Sequence, residues 1–105
     1  MTKPTRLASR DIVKRLAKLN GEPPVEHGWQ RVGRTLIKEF VRDSFTGAVK
    51  FLARIAPRAN ALDHHPDLQL YHYKHVIIVL TTHDAGGLTR KDFELAAIID
   101  ELAAR

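Results

Sequence analysis

Residues 75–82 read His-Val-Ile-Ile-Val-Leu-Thr-Thr, an almost unbroken β-branched run. Branching at Cβ stiffens the side chain and suits it to a pleated, packed surface, so this stretch predicts a central, well-buried strand. A central strand commits the chain to a sheet. Immediately upstream, DLQLYHY at residues 67–73 alternates and is aromatic, as expected of a hairpin partner turning near Tyr73-Lys74. Trp29 to Val32 and Thr35 to Val41 form a second candidate hairpin around Gly33-Arg34.

Three helices are predicted between and around these hairpins. Ser9 is placed to cap the first, with Asp11 in its first turn, Ile12, Val13, Leu16 and Leu19 on one stripe, and Asn20-Gly21 as its stop. Glu22 to Gly28 reads as a connector. Ser44 caps the second helix, whose apolar set Ala48, Val49, Leu52, Ile55, Ala56 and Ala59 follows the 3.6-residue period. Pro57 falls inside that pattern, removing a donor and crowding the carbonyl of Ala53, so a kink or an early end is expected there. After a loop at Asp84 to Gly87, Thr89 opens the last helix. Thr89 and Asp92 have capping-box spacing, Leu88 and Phe93 occupy the staple positions, and Leu95, Ile98, Ile99 and Leu102 form the stripe to be buried. The predicted order is α-β-β-α-β-β-α. Hairpins separated by one helix make this an α+β fold, a sheet with helices packed on one face.

The 105 residues suit one domain, residues 1–105, and 44% hydrophobic with 28% charged is the balance of a soluble globular chain. No apolar run reaches the roughly 20 residues of a membrane helix, and the basic N-terminus has no apolar core of a secretory signal. With no cysteine there is no disulfide framework or thiolate chemistry, which fits a reducing cytoplasm. The net charge of +5 raises the question of nucleic acid. Residues 1–60 carry 13 Lys and Arg against 5 Asp and Glu, whereas residues 61–105 carry 4 against 7. Much of the positive charge sits singly among apolar positions, without aromatic interleaving, and reads as a solvated face rather than a nucleic-acid surface.

Five of the six histidines lie between positions 64 and 83. If the second hairpin turns near Tyr73-Lys74, paired positions have numbers summing to about 147, which sets His64 and His65 opposite the neighbourhood of His83. His72 and His75 stay at the turn. Imidazoles gathered on one rim can exchange protons near neutrality, can bind a metal with Asp63, Asp67 or Asp84 completing the set, or can be polar strand ends bonded to backbone. Adjacent histidines usually point apart, and neither HExxH nor a spaced Cys/His set is present, which counts against a metal.

The segment NALDHHPDLQLYHYKHVIIVLTTHDAGGLTRKDFELA, residues 60–96, resembles the pterin-4a-carbinolamine dehydratase family, with LTTHDAGGLT its most distinctive part. His64, His65 and Pro66 match that family's His-His-Pro, Tyr73 its aromatic, and His83 and Asp92 its later landmarks. The likeness continues more weakly upstream through Gly28-Trp29, Phe40, Ser44-Phe45 and Arg54-Ile55.

This resemblance implies a four-stranded antiparallel sheet with three helices on one face. It implies dehydration of a 4a-hydroxytetrahydropterin to a quinonoid dihydropterin without metal or other cofactor, recycling the pterin used by aromatic amino-acid hydroxylases. His64 and His83 would be the acid/base pair, with His65 mainly holding the pterin. Asn60, Asp63, Pro66, Tyr73, Thr82, Asp84 and Asp92 would bind substrate or support the site. Asp63 and Asp84 could orient imidazoles or simply be solvated, and Asp92 has a structural task as the N3 acid of its helix. Homodimers or homotetramers are implied, and animal members also serve as dimerisation cofactors for a homeodomain transcription factor. Two departures stand out. Asn60 replaces an ionisable side chain, commonly glutamate, and Pro57 lies one turn ahead of it, so a member with weakened turnover that only binds pterin or protein is the alternative expectation.

Overall fold

The computed structural model describes residues 4–21 and 27–105. Its elements are α1 (Ser9–Asn20), β1 (Gln30–Val32), β2 (Thr35–Val41), α2 (Phe45–Leu62), β3 (Asp67–Tyr71), β4 (His75–Leu80), a 3-10 turn at His83–Ala85, and α3 (Arg90–Ala103). The predicted order α-β-β-α-β-β-α is the order observed. Of the predicted connector, residues 22–26 lie outside the described residues.

The four strands form one antiparallel sheet in the order β1-β2-β4-β3, so the β-branched run is indeed central. Its inward positions Val76, Ile78 and Leu80 are fully buried and share a face with Leu36 and Phe40 of β2. Onto that face pack Ile12 of α1, Phe51, Ile55 and Ala59 of α2, and Leu95, Ile99 and Leu102 of α3, making one continuous core. Three helices therefore cover one face. The alternate residues, Ile37, Ile77 and Val79, are only half-buried on the other.

Trp29 is closed into this core from the side. It is 1% exposed, sits edge-on to Phe40 with centroids 6.1 Å apart, and directs its indole Nε1 to the Asp100 carboxylate at 3.1 Å. Asp100 also accepts from Lys38 Nζ at 2.8 Å, so α3, β2 and the chain entering β1 meet at one carboxylate.

Several expectations change in detail. Ser9 is the first residue of α1 rather than its cap; Ala8 occupies the cap position and offers no side-chain oxygen. Val13 is 65% exposed, leaving the α1 stripe to Ile12, Leu16 and Leu19. In α2 the buried set is Ala48, Phe51, Ile55 and Ala59, and Phe51 takes the place that the sequence pattern assigned to Val49 and Ala56. The helix does not end early at Pro57 but runs on to Leu62. Pro57 is exposed, so its ring projects into solvent rather than into the sheet.

The second hairpin is shorter and tighter than predicted. His72 and Tyr73 take positive φ values of 44° and 53°, ending β3 at Tyr71, and pairing runs from Asp67 with Val79 to Tyr71 with His75. Paired numbers thus sum to one less than expected. Extended past the ladder, this register sets His64 across from Thr82 rather than His83, and a one-residue shift exchanges which side chains share a face.

Pro57 supplies a test of the helix energetics. Pro57→Ala restores an N–H for the Ala53 carbonyl and should raise the free energy of unfolding by about 1–3 kcal/mol, read from urea denaturation.

Candidate active site

The end of α2 aims the histidine pair. Asp63 closes the helix in the left-handed conformation at φ 50°, which its short polar side chain tolerates better than most. Its N–H reaches back to the Asn60 carbonyl at 3.1 Å, and the His64 N–H reaches the Ala59 carbonyl at 3.1 Å. This paired closure satisfies the last helical carbonyls and reverses the chain. Pro66 then fixes the exit into β3 at Asp67. His64 is thereby turned inward and buried, whereas His65 is exposed, the divergence that adjacent residues in extended chain produce.

His64 meets a carboxylate there. Its Nε2 lies 2.6 Å from Asp92 Oδ1, and Asp92 is fully buried. The other oxygen, Oδ2, accepts from the Thr82 hydroxyl at 2.8 Å and from the Thr89 backbone N–H at 2.9 Å. Thr82 and Thr89 join through their hydroxyls at 2.9 Å. Because Thr82 has one hydroxyl hydrogen and gives it to Asp92, Thr89 donates to Thr82. With Asp92 accepting throughout, His64 Nε2 carries the hydrogen and Nδ1 is left to act on something else.

The capping box predicted from Thr89 and Asp92 is present, and it occupies only one of the two carboxylate oxygens. The other is what holds His64. A helix-starting device and an imidazole-orienting device are the same side chain.

Thr82 is fixed from two directions. Besides its bond to Asp92, it pairs with Gly87 through backbone bonds of 3.3 Å each way, pinching off the turn that contains His83. Gly86 takes φ 74° to close that turn, a conformation for which glycine is suited. His83 is exposed and directly follows Thr82, so it stands at the rim beside the side chain that shares the Asp92 carboxylate with His64. His65 Nε2 lies 3.2 Å from Asn60 Oδ1, one helical turn back along α2, and the amide oxygen accepts.

The chain's residues 5–102 match the family model described as pterin 4 alpha carbinolamine dehydratase. It belongs to that family. A candidate pterin-4-alpha-carbinolamine dehydratase of Roseiflexus sp. (strain RS-1) is 44% identical over 98 residues, covering 93% of this chain and 97% of the relative. A crystal structure of a transcriptional coactivator/pterin dehydratase from Brucella melitensis superposes with TM-score 0.82 at 30% identity, covering 94% of this chain and 99% of that one. A pterin dehydratase-like protein described as a RuBisCO assembly factor in the alpha-carboxysome shares 26% identity with TM-score 0.61, covering 74% of this chain and 92% of that one.

Against this pterin dehydratase framework the structure gathers His64, Thr82 and Asp92 into one bonded network, joins His65 to Asn60, and puts His83 on the same rim. Tyr73 is not with them. It lies 58% exposed at the far turn of the β3–β4 hairpin, beneath the Lys74 ammonium, on the order of 16 Å of strand from the histidine pair. Asp63 and Asp84 are exposed, and neither carboxylate bonds an imidazole among the described residues; that task falls to Asp92. Among the described residues no three His, Asp or Glu side chains converge as a metal-ligand set. Thr89 is the member that sequence reasoning left out of the site, although its capping-box spacing was the available signal.

Removing the shared carboxylate should be expensive. Asp92→Ala strands two buried donors and an imidazole and is expected to cost about 3–5 kcal/mol of stability, against about 1–3 kcal/mol for Thr82→Ala, both measured by urea unfolding.

Proposed function

We propose that this chain dehydrates a 4a-hydroxytetrahydropterin to the quinonoid dihydropterin, releasing water. The carrying observation is the buried Asp92 bond to His64 Nε2, which leaves Nδ1 as the working nitrogen of an oriented imidazole. The reaction needs a proton delivered to the departing 4a-hydroxyl and another taken from the ring nitrogen as the C=N bond forms. Two imidazoles on either side of a flat ring suit this, one acting as acid while the other acts as base. In this reading His64 and His83 divide the proton work, and exposed His65, steadied by Asn60, holds the pterin. Thr82, Thr89 and Asp92 position His64 without touching substrate. Asp63 and Pro66 set the approach of the histidine pair, and Asp84 is solvated.

The reaction would belong to pterin recycling in the cytoplasm, alongside an aromatic amino-acid hydroxylase that consumes the regenerated cofactor. Self-association into dimers or tetramers is part of the same proposal. Phe45 and Val49, one turn apart on α2 and 56% and 44% exposed, offer an apolar strip for it.

A second reading, binding without efficient turnover, is favoured by Asn60. An amide can hold His65 but cannot carry charge or relay a proton, and a family relative described as a RuBisCO assembly factor supports roles for this fold beyond pterin chemistry.

The decisive measurement is the decay of freshly generated carbinolamine, followed by absorbance with and without the protein. Acceleration over the spontaneous rate is expected, falling by about 10²–10⁴-fold in His64→Ala and in His83→Ala with circular dichroism unchanged. No acceleration by the unaltered chain, with pterin binding retained, would establish the second reading instead.

A further inference from the structure

A cavity of about 420 Å³ opens between the segment before α1, the β1–β2 turn and the loop that follows His83. Three arginines line it. Arg6, Arg31 and Arg34 come from two separate stretches of chain, no Asp or Glu lines the cavity, and among the described residues none of the three enters an ion pair. Arg31 is steadied by Nε donating to the Gly33 carbonyl at 3.1 Å, which leaves its terminal nitrogens unspent. The Arg34 carbonyl accepts from the Thr81 hydroxyl at 2.6 Å, tying the β1–β2 turn to the end of β4.

The loop side of the cavity is shaped to receive Arg6. The Leu7 N–H bonds the Leu88 carbonyl at 2.8 Å, anchoring the N-terminal segment along the loop. A Cβ at Gly87 would come within 2.9 Å of Arg6 Cδ, so the bare backbone there lets the arginine stem lie flat against it. The fourth contribution is the start of α1. Ser9 lines the cavity as the first residue of α1; the cap residue Ala8 has no side-chain acceptor and its carbonyl takes the Asp11 and Ile12 N–H groups at 3.0 Å, so the N–H groups of Ser9 and Arg10 have no acceptor from it.

Guanidinium groups, uncapped helix amides and an absence of lining carboxylates all select the same ligand chemistry. We propose that this cavity is a binding site for a phosphate group. Arginine matches phosphate oxygens with paired donors, and the helix start adds partial positive charge from its amides. The phosphate is either a free ion or a substituent of the pterin, since the Gly86-Gly87 loop that walls the cavity also carries His83.

The test begins without turnover. The ¹⁵N-labelled chain is titrated with sodium phosphate and, separately, with sodium chloride at matched ionic strength. Saturable amide shifts confined to Ser9, Arg10, Gly86 and Gly87 are expected with phosphate alone. Arg31→Ala/Arg34→Ala should weaken binding measurably, by up to about 25-fold, since each exposed charge contact contributes up to about fivefold. Arg6→Gln, a milder change, should weaken it less while the remaining spectrum stays dispersed. Shifts that are equal in chloride, fail to saturate or persist unchanged in both variants would overturn the site. A second arm rests on the proposed dehydration and identifies the source. An increase in KM of the arginine variants for a side-chain-phosphorylated pterin only, with a neutral pterin unaffected, assigns the phosphate to the substrate. Unchanged KM for both, with phosphate binding lost, assigns a free ion. Because the titration needs no catalysis, failure of the site and failure of the dehydratase reading remain separable.

Discussion

One carboxylate organises the end of this molecule where α2, β4 and α3 meet. Asp92 caps α3 with Oδ2, accepts from Thr82 at the end of β4 through the same oxygen, and holds His64 beyond α2 with Oδ1. Three elements of the fold are thus registered against one buried group. Burying a charge is costly unless its hydrogen bonds are complete, and here every bond serves both to offset that cost and to orient a neighbour. The imidazole has little rotational choice left.

The rest of the fold makes that meeting possible. The β-branched run of β4 is clamped between β2 and β3, and the helical layer covers only one face, so the ends of the strands stay open along a rim. His64, His65 and His83 lie at that rim because α2 ends in a left-handed residue that sends the chain back, while the turn after β4 is pinched by Thr82 and Gly87. The arginine cavity lies along the same side, beyond the loop that carries His83. The His64 network and the arginine-lined cavity are then neighbours across one loop without sharing side chains.

Much of this architecture was legible in the sequence because it depends on local rules. Alternation, β-branching, the Ser44 cap and the Thr89–Asp92 spacing each depend on residues close in number, and each led to the element observed. Hairpin arithmetic brought the His64 segment toward the chain that follows β4, one residue out of register. What escaped depends on long-range packing or on unmarked turns. Asp92 meets His64 across 28 positions, and nothing local distinguishes a carboxylate with one spare oxygen from one that is fully used. The β3–β4 turn places His72 and Tyr73 at positive φ without glycine or asparagine to announce it, so the register was one residue off. Ala8 rather than Ser9 precedes α1, next to the residue whose N–H bonds the Leu88 carbonyl, a tertiary tie that capping preference does not report.

The chain has one tryptophan, and Trp29 sits against the C-terminal half of α3 whereas Asp92 sits in its first turn. Eight residues of helix separate Asp92 from Asp100, or about 12 Å. Excited near its absorption edge, this lone indole is an intrinsic optical gauge of whether the helical layer is seated on the sheet.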